Sequence, residues 1–153
     1  MLANQVEEET PTTFLETLWS YPNQEMWEHM YVDGDGEWIE DVLVEGTLDI
    51  SHDGSYQPEV SKEVCSTAVW MRCRRTKKTL FLSFAEHSPH VSSHRSEILG
   101  EISAQLVLKA AARNRHLQYP NVSIYCDNKE VLNHGSEAEK NSKKNRYSLM
   151  YYM

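Results

Sequence analysis

Three carboxylates in this chain, Asp53, Glu97 and Asp127, stand beside signals that gather them at one place. Carboxylates held within a few ångströms repel and push one another's pKa upward, and a divalent cation removes that conflict. Hard oxygen donors suit Mg²⁺ or Mn²⁺. Two such ions roughly 4 Å apart activate a water and stabilise the leaving oxygen of a phosphodiester. Taken singly, each acid has an ordinary structural role. Asp53 precedes Gly54, a common turn pair; Glu97 falls where a helix begins and the dipole favours an acid; Asp127 suits the N-cap of a following helix. The chemistry rests on their order and on the elements that carry them.

Those elements form the pattern β-β-β-α-β. Thr47–Asp53 alternates, with Leu48 and Ile50 on one face and Asp49, Ser51 and Asp53 on the other, and Asp53-Gly54-Ser55 is expected to stop it. Ser66–Cys73 and Thr79–Ala85 are apolar runs joined by Arg74-Arg75-Thr76-Lys77-Lys78, a hairpin signature. Ser93–Arg115 is the clearest helix, with Ser93 as N-cap, Glu97 in its first turn, and Ile98, Ile102 and Leu106 repeating every four residues beside Leu99 and Ala110. Val122–Asp127 makes a fourth strand, and Asn128–His134 a short helix ended by Gly135. If the first three strands form a meander, the helix starts at the top of the sheet and the last strand rises parallel to the first. The three acids then meet at one sheet edge.

Upstream, residues 1–11 look like a loose lead. Short helices are expected at Thr13–Ser20, Gln24–Met30 and Trp38–Val44, the last ending at Gly46, with a turn from Asp33 to Gly36. Residues 136–153, rich in Ser, Glu, Asn, Lys and Tyr, form a charged tail or one edge strand. The division expected is therefore an acidic lead over 1–46, a catalytic-type domain over 47–135, and the tail.

Ile50-Ser51-His52-Asp53-Gly54-Ser55, Arg95-Ser96-Glu97-Ile98-Leu99-Gly100 and Ile124-Tyr125-Cys126-Asp127-Asn128 together resemble the ribonuclease H family. They are similar to its first strand, first helix and fourth strand, each bearing one metal-binding acid. The likeness spans about residues 47–135 and is nearest to domains at the C-terminal end of retroelement reverse transcriptases. The Trp-containing tract from Phe14 to Gly46 resembles the segment leading into such domains. The resemblance implies an α/β ribonuclease H-like fold with a mixed sheet. It implies Mg²⁺ or Mn²⁺ as cofactor, an RNA–DNA hybrid as substrate, and other parts of a reverse transcriptase as partners. Family members add a fifth strand and a last helix with a fourth acid, often with a histidine on a nearby loop. Only 26 residues follow Asp127, and neither Glu137, Glu139 nor His134 matches those positions. The expectation is a domain incomplete at its C-terminus.

Composition is consistent with a packed globule: 40% of residues are hydrophobic and 10% aromatic. No apolar run approaches the roughly 20 residues of a membrane span, the first 20 residues carry no Lys or Arg, and Cys65, Cys73 and Cys126 form no pattern. The reading is a reduced, intracellular protein. The net charge of −8 hides a division, since residues 1–50 hold 13 acids and no Lys or Arg while the remainder is net basic. Asp33-Gly-Asp-Gly-Glu37 lacks the glycine and glutamate spacing of a calcium loop, and His87, His90 and His94 lack a fourth zinc ligand. The Arg74–Lys78 turn is read as a solvated hairpin tip before a phosphate contact. Trp19, Trp27, Trp38 and Trp70 are read as core rather than base-stacking platforms. Two other functions compete with the nuclease: a non-catalytic retroelement remnant or protein-interaction module, and a small nucleotide binder. The second is weakened by the lack of a Gly-rich phosphate loop.

Overall fold

The computed structural model describes residues 13–113 and 122–126. Helix α1 spans Phe14–Ser20, followed by a single 3-10 turn at Gln24–Met26 and strand β1 at Tyr31–Val32. Helix α2 covers Trp38–Glu45, strands β2, β3 and β4 cover Leu48–Tyr56, Val64–Cys73 and Thr79–His87, helix α3 covers Ser93–Ala111, and β5 covers Ser123–Cys126. The sheet order is β1-β4-β3-β2-β5.

The expected fold class is corrected. The antiparallel part has four strands, β1-β4-β3-β2, rather than three: the meander β2-β3-β4 is extended by β1 on the free edge of β4. The additional strand, β1, is only two residues long, too short for any alternation to announce it. It forms because Tyr31 and Val32 pair with Phe81 and Leu80. Beyond the antiparallel part, four residues of β5 lie parallel to β2, from Asp49↔Ser123 to His52↔Cys126.

Strand β2 runs through the Asp-Gly-Ser signal and ends at Tyr56, because its ladder to β3 continues to Tyr56↔Cys65. Backbone pairing here outweighs the local turn tendency of Asp-Gly. Helix α2 ends as its sequence suggests: Gly46 takes φ 72° and donates its N–H to the Val42 carbonyl, a left-handed cap that glycine adopts without steric cost.

The N-cap of α3 is Ser92, one residue earlier than expected, and its side chain accepts from the Arg95 N–H at 3.0 Å. Glu97 therefore lies past the first turn, which contains no acid. The packing face of α3 is corrected as well. Ile98 and Ile102 are 41% and 42% exposed, while Ser96, Gly100, Ser103, Ala104, Val107 and Ala111 are buried. Hydrophobicity favoured the isoleucine stripe, but close approach to the sheet selects the small residues. A Cβ on Gly100 would stand 2.8 Å from His52 Nδ1, and one on Gly54 would overlap Ser96.

One core joins the helices to the sheet, from Phe14, Leu18, Trp27 and Ile39 to Ile50, Leu80, Leu108 and Ile124. Full burial of such side chains contributes about 1.5–3 kcal/mol each before entropy is counted. The acidic early residues also pair with basic later ones. Glu37 accepts from Arg113 at 2.8 Å and from the Phe14 N–H at 2.8 Å, and Glu45 lies 3.2 Å from Arg75. No described helix is long and apolar enough to cross a membrane.

Candidate functional site

The site is built where α3 crosses β2. On β2, Leu48, Ile50 and His52 are buried and Asp49, Ser51 and Asp53 point to the opposite face, the alternation of a strand with one covered side. Helix α3 packs on the covered side, and its close approach depends on Gly54, whose missing side chain leaves room for Ser96 and the Glu97 backbone. Thr67 on β3 adds a buried hydrogen bond, its hydroxyl donating to the Ser96 carbonyl at 2.5 Å.

This packing sets Glu97 against the strand. One carboxylate oxygen, Oε1, accepts the Gly54 N–H at 3.0 Å. The other, Oε2, lies 3.5 Å from His52 Nδ1. Glu97 and His52 are each only 5% exposed, and neither His52 ring nitrogen has a hydrogen-bond partner among the described residues. Accepting the Gly54 N–H satisfies one oxygen of the buried Glu97 carboxyl, which offsets part of the cost of burying it.

Asp53 is exposed, one peptide bond from the N–H that Glu97 accepts. The structure thus brings the helix acid to the Asp53–Gly54 peptide, 43 positions away in the chain. The Asp53 side chain lies on the sheet's open face and Glu97 lies beneath the helix, so the two carboxylates approach the strand from different sides. Asp127 lies outside the described residues, as do the expected Asn128–His134 helix and the tail. Its predecessor Cys126 sits opposite His52, the residue before Asp53, at the end of the parallel ladder. Among the described residues no group of three or more His, Cys, Asp or Glu side chains is placed to hold a metal ion.

Arg95, two residues before Glu97, faces a different partner. Its Nε and Nη2 donate to Glu86 on β4 at 2.7 and 2.6 Å. This two-pronged bond holds the Glu86 carboxyl below the ordinary carboxylate range, and it raises the Arg95 guanidinium further. Burial pushes the Cys65 thiol upward, with the nearby Glu86 charge acting in the same sense. Arg95 therefore clamps the start of α3 to β4.

At the hairpin tip, Arg74 donates to the Gly46 carbonyl at 2.8 Å and lies 3.4 Å from Asp49, so part of the basic turn is neutralised within the fold. Sequence reasoning missed two features. His52 was passed over because its neighbour Asp53 carried the motif; its place on the covered side of an alternating strand was a readable signal. Trp19 and Trp70, both expected in the core, are 40% and 37% exposed, Trp70 because the strand alternates with buried Val69 and Met71. No protein-family model, no curated protein and no solved structure matches this chain.

Proposed function

We propose that the chain is a divalent-metal-dependent nuclease of ribonuclease H type that hydrolyses the RNA strand of RNA–DNA hybrids, with Asp53, Glu97 and Asp127 as its cation ligands. What supports this reading is the bond from the Gly54 N–H to Glu97, which brings the helix acid to the peptide that follows Asp53, although the two side chains leave the strand on opposite faces. The donor set fits the cofactor in kind, since carboxylate oxygens are the ligands that Mg²⁺ and Mn²⁺ prefer. Such ions supply charge neutralisation and an activated water when bound. The chain's own residues supply position. The Gly54 N–H and the packing of α3 fix Glu97, and the β2 ladder fixes Asp53 on a rigid strand. Its ancestry is proposed to lie in a retroelement reverse transcriptase, and its setting to be intracellular.

The test is hybrid cleavage by the full chain in Mg²⁺ or Mn²⁺, with Asp53→Asn beside it. Asp53 is exposed, so this substitution should leave stability within about 0.5 kcal/mol while abolishing cleavage. Cleavage that persists in Asp53→Asn removes the assignment.

One observation favours a second reading. Glu97 is nearly buried and already accepts a backbone N–H, which suits a carboxylate that pins α3 to β2 in a non-catalytic interaction module. That reading expects no hybrid cleavage by the wild-type chain. It also expects Glu97→Gln to lower the melting temperature equally with and without Mg²⁺.

A further inference from the structure

The face of the sheet away from α3 carries a row of aromatic rings. Tyr31 pairs with Phe81, and Phe81 pairs with Trp70, so the three rings lie side by side across β1, β4 and β3. They are 58%, 39% and 37% exposed. Strands spaced by about 4.8 Å place neighbouring rings within stacking reach of one another. Along the strands beside this row run Ala68, Ser66, Ser83 and Ala85, a floor of small side chains. Arg72, two residues from Trp70 on the same face, holds its guanidinium 5.8 Å from the Trp70 ring centre. Lys77 and Lys78 stand exposed at the end of the same hairpin, and neither they nor Arg72 has an ion pair among the described residues. Acids also border the row: Asp49 stands opposite Arg72 on the ladder and 3.4 Å from Arg74, Asp33 accepts from Tyr31 Oη at 2.6 Å and from the Thr79 N–H and feels the charge of Lys78, and Asp53 lies two positions along the ladder from the Trp70 level.

We propose that this open face docks a single strand of nucleic acid, its bases stacking on Tyr31, Phe81 and Trp70 and its phosphates drawn to Arg72, Lys77 and Lys78. An apolar partner would use the rings but gain nothing from the cluster of Arg72, Lys77 and Lys78 at one end of the row. A polyanion with flat, apolar faces uses both. Stacking on aromatic platforms is tolerant of sequence, and the phosphate term is set by charge. The surface therefore binds strands broadly, and binding needs no cation at Asp53 and Glu97.

The experiment is fluorescence anisotropy of a labelled oligothymidylate of about 12 nucleotides, within the span a single stacking module covers, titrated with the full chain in low salt and EDTA. EDTA removes metal chemistry, so the outcome is separate from the nuclease test. Trp70→Leu and Phe81→Leu are each expected to weaken binding about fivefold or more. Trp70→Phe should recover part of the loss, and Trp19→Leu, on α1, should change nothing. Because leucine at a half-exposed strand position can disturb folding, Lys77→Ala with Lys78→Ala provides a second measurement at the exposed tip. That pair should lower the salt dependence of binding by about 0.7 per lysine. The proposal is overturned if the oligonucleotide does not bind, or if both leucine variants keep wild-type affinity. It is also overturned if sedimentation shows a second copy on this face that the oligonucleotide does not displace.

Discussion

Replacing Gly54 with alanine tests the contact on which the site is built. The φ of Gly54 lies outside the left-handed region, so an alanine backbone is not strained there and the penalty is steric. The new methyl would overlap the Ser96 hydroxyl, stand 2.7 Å from Ser96 Cβ and 2.9 Å from the Glu97 nitrogen. Two of these three atoms belong to the helix backbone or sit directly on it, so α3 and β2 must separate. Overpacking of this kind costs about 1–3 kcal/mol. Separation also lengthens the 3.0 Å bond from the Gly54 N–H to Glu97, and leaving these buried groups unsatisfied adds about 1–3 kcal/mol. The expected destabilisation is thus about 2–6 kcal/mol, a large part of the 5–15 kcal/mol typical of a whole domain. Urea unfolding followed by circular dichroism should show a lower midpoint at unchanged slope. Adding Ser96→Gly removes two of the three clashing atoms, so the double variant should recover part of the loss, with a coupling of about 0.5–3 kcal/mol. A Gly54→Ala protein within about 0.5 kcal/mol of wild type would refute the close packing of helix and strand.

Three further outcomes can be checked. Phe14→Ala should cost about 3–5 kcal/mol in denaturant unfolding, because Phe14 is fully buried in the core shared with the sheet; a loss below about 1 kcal/mol would detach α1 from that core. Ser92→Ala should cost about 1 kcal/mol, since Ser92 caps α3, whereas Ser93→Ala should be near neutral; the reverse order would restore the cap to Ser93. The Glu86 carboxyl is held below its ordinary value by Arg95, so its folded pKa is depressed. The stability it contributes is therefore present above the unfolded carboxylate range and is lost as pH falls through the folded value. Melting temperatures of wild type and Arg95→Gln should differ most near neutral pH and converge in acid, by a small amount because the pair is partly exposed. A gap that widens on acidification would reverse the sign.

Much of the local organisation was legible in the residues. The alternation of Leu48, Ile50 and His52 marks β2 as a strand with one covered face, the basic turn after Cys73 marks the β3–β4 hairpin, and Gly46 marks the end of α2. These features depend on side-chain period and backbone freedom, which are properties of a short stretch of chain. The same periodicity places Asp53 on a strand and Glu97 on a helix, where both lie.

What required the tertiary structure was every choice that depends on a distant surface. Ile98, Ile102 and Leu106 form the more apolar stripe of α3. Yet Ser96, Gly100, Ser103 and Ala104 face the sheet, because the separation between helix and strand is set by side-chain volume at the crossing as well as by hydrophobicity. Strand β2 passes through Asp53-Gly54 because β3 supplies partners there, and β1 exists only because β4 offers it an edge. Which face of a strand is covered, and so whether Trp70 is buried or exposed, is decided by the side on which α3 lands. Local sequence fixes the period of a pattern, and only packing assigns its faces.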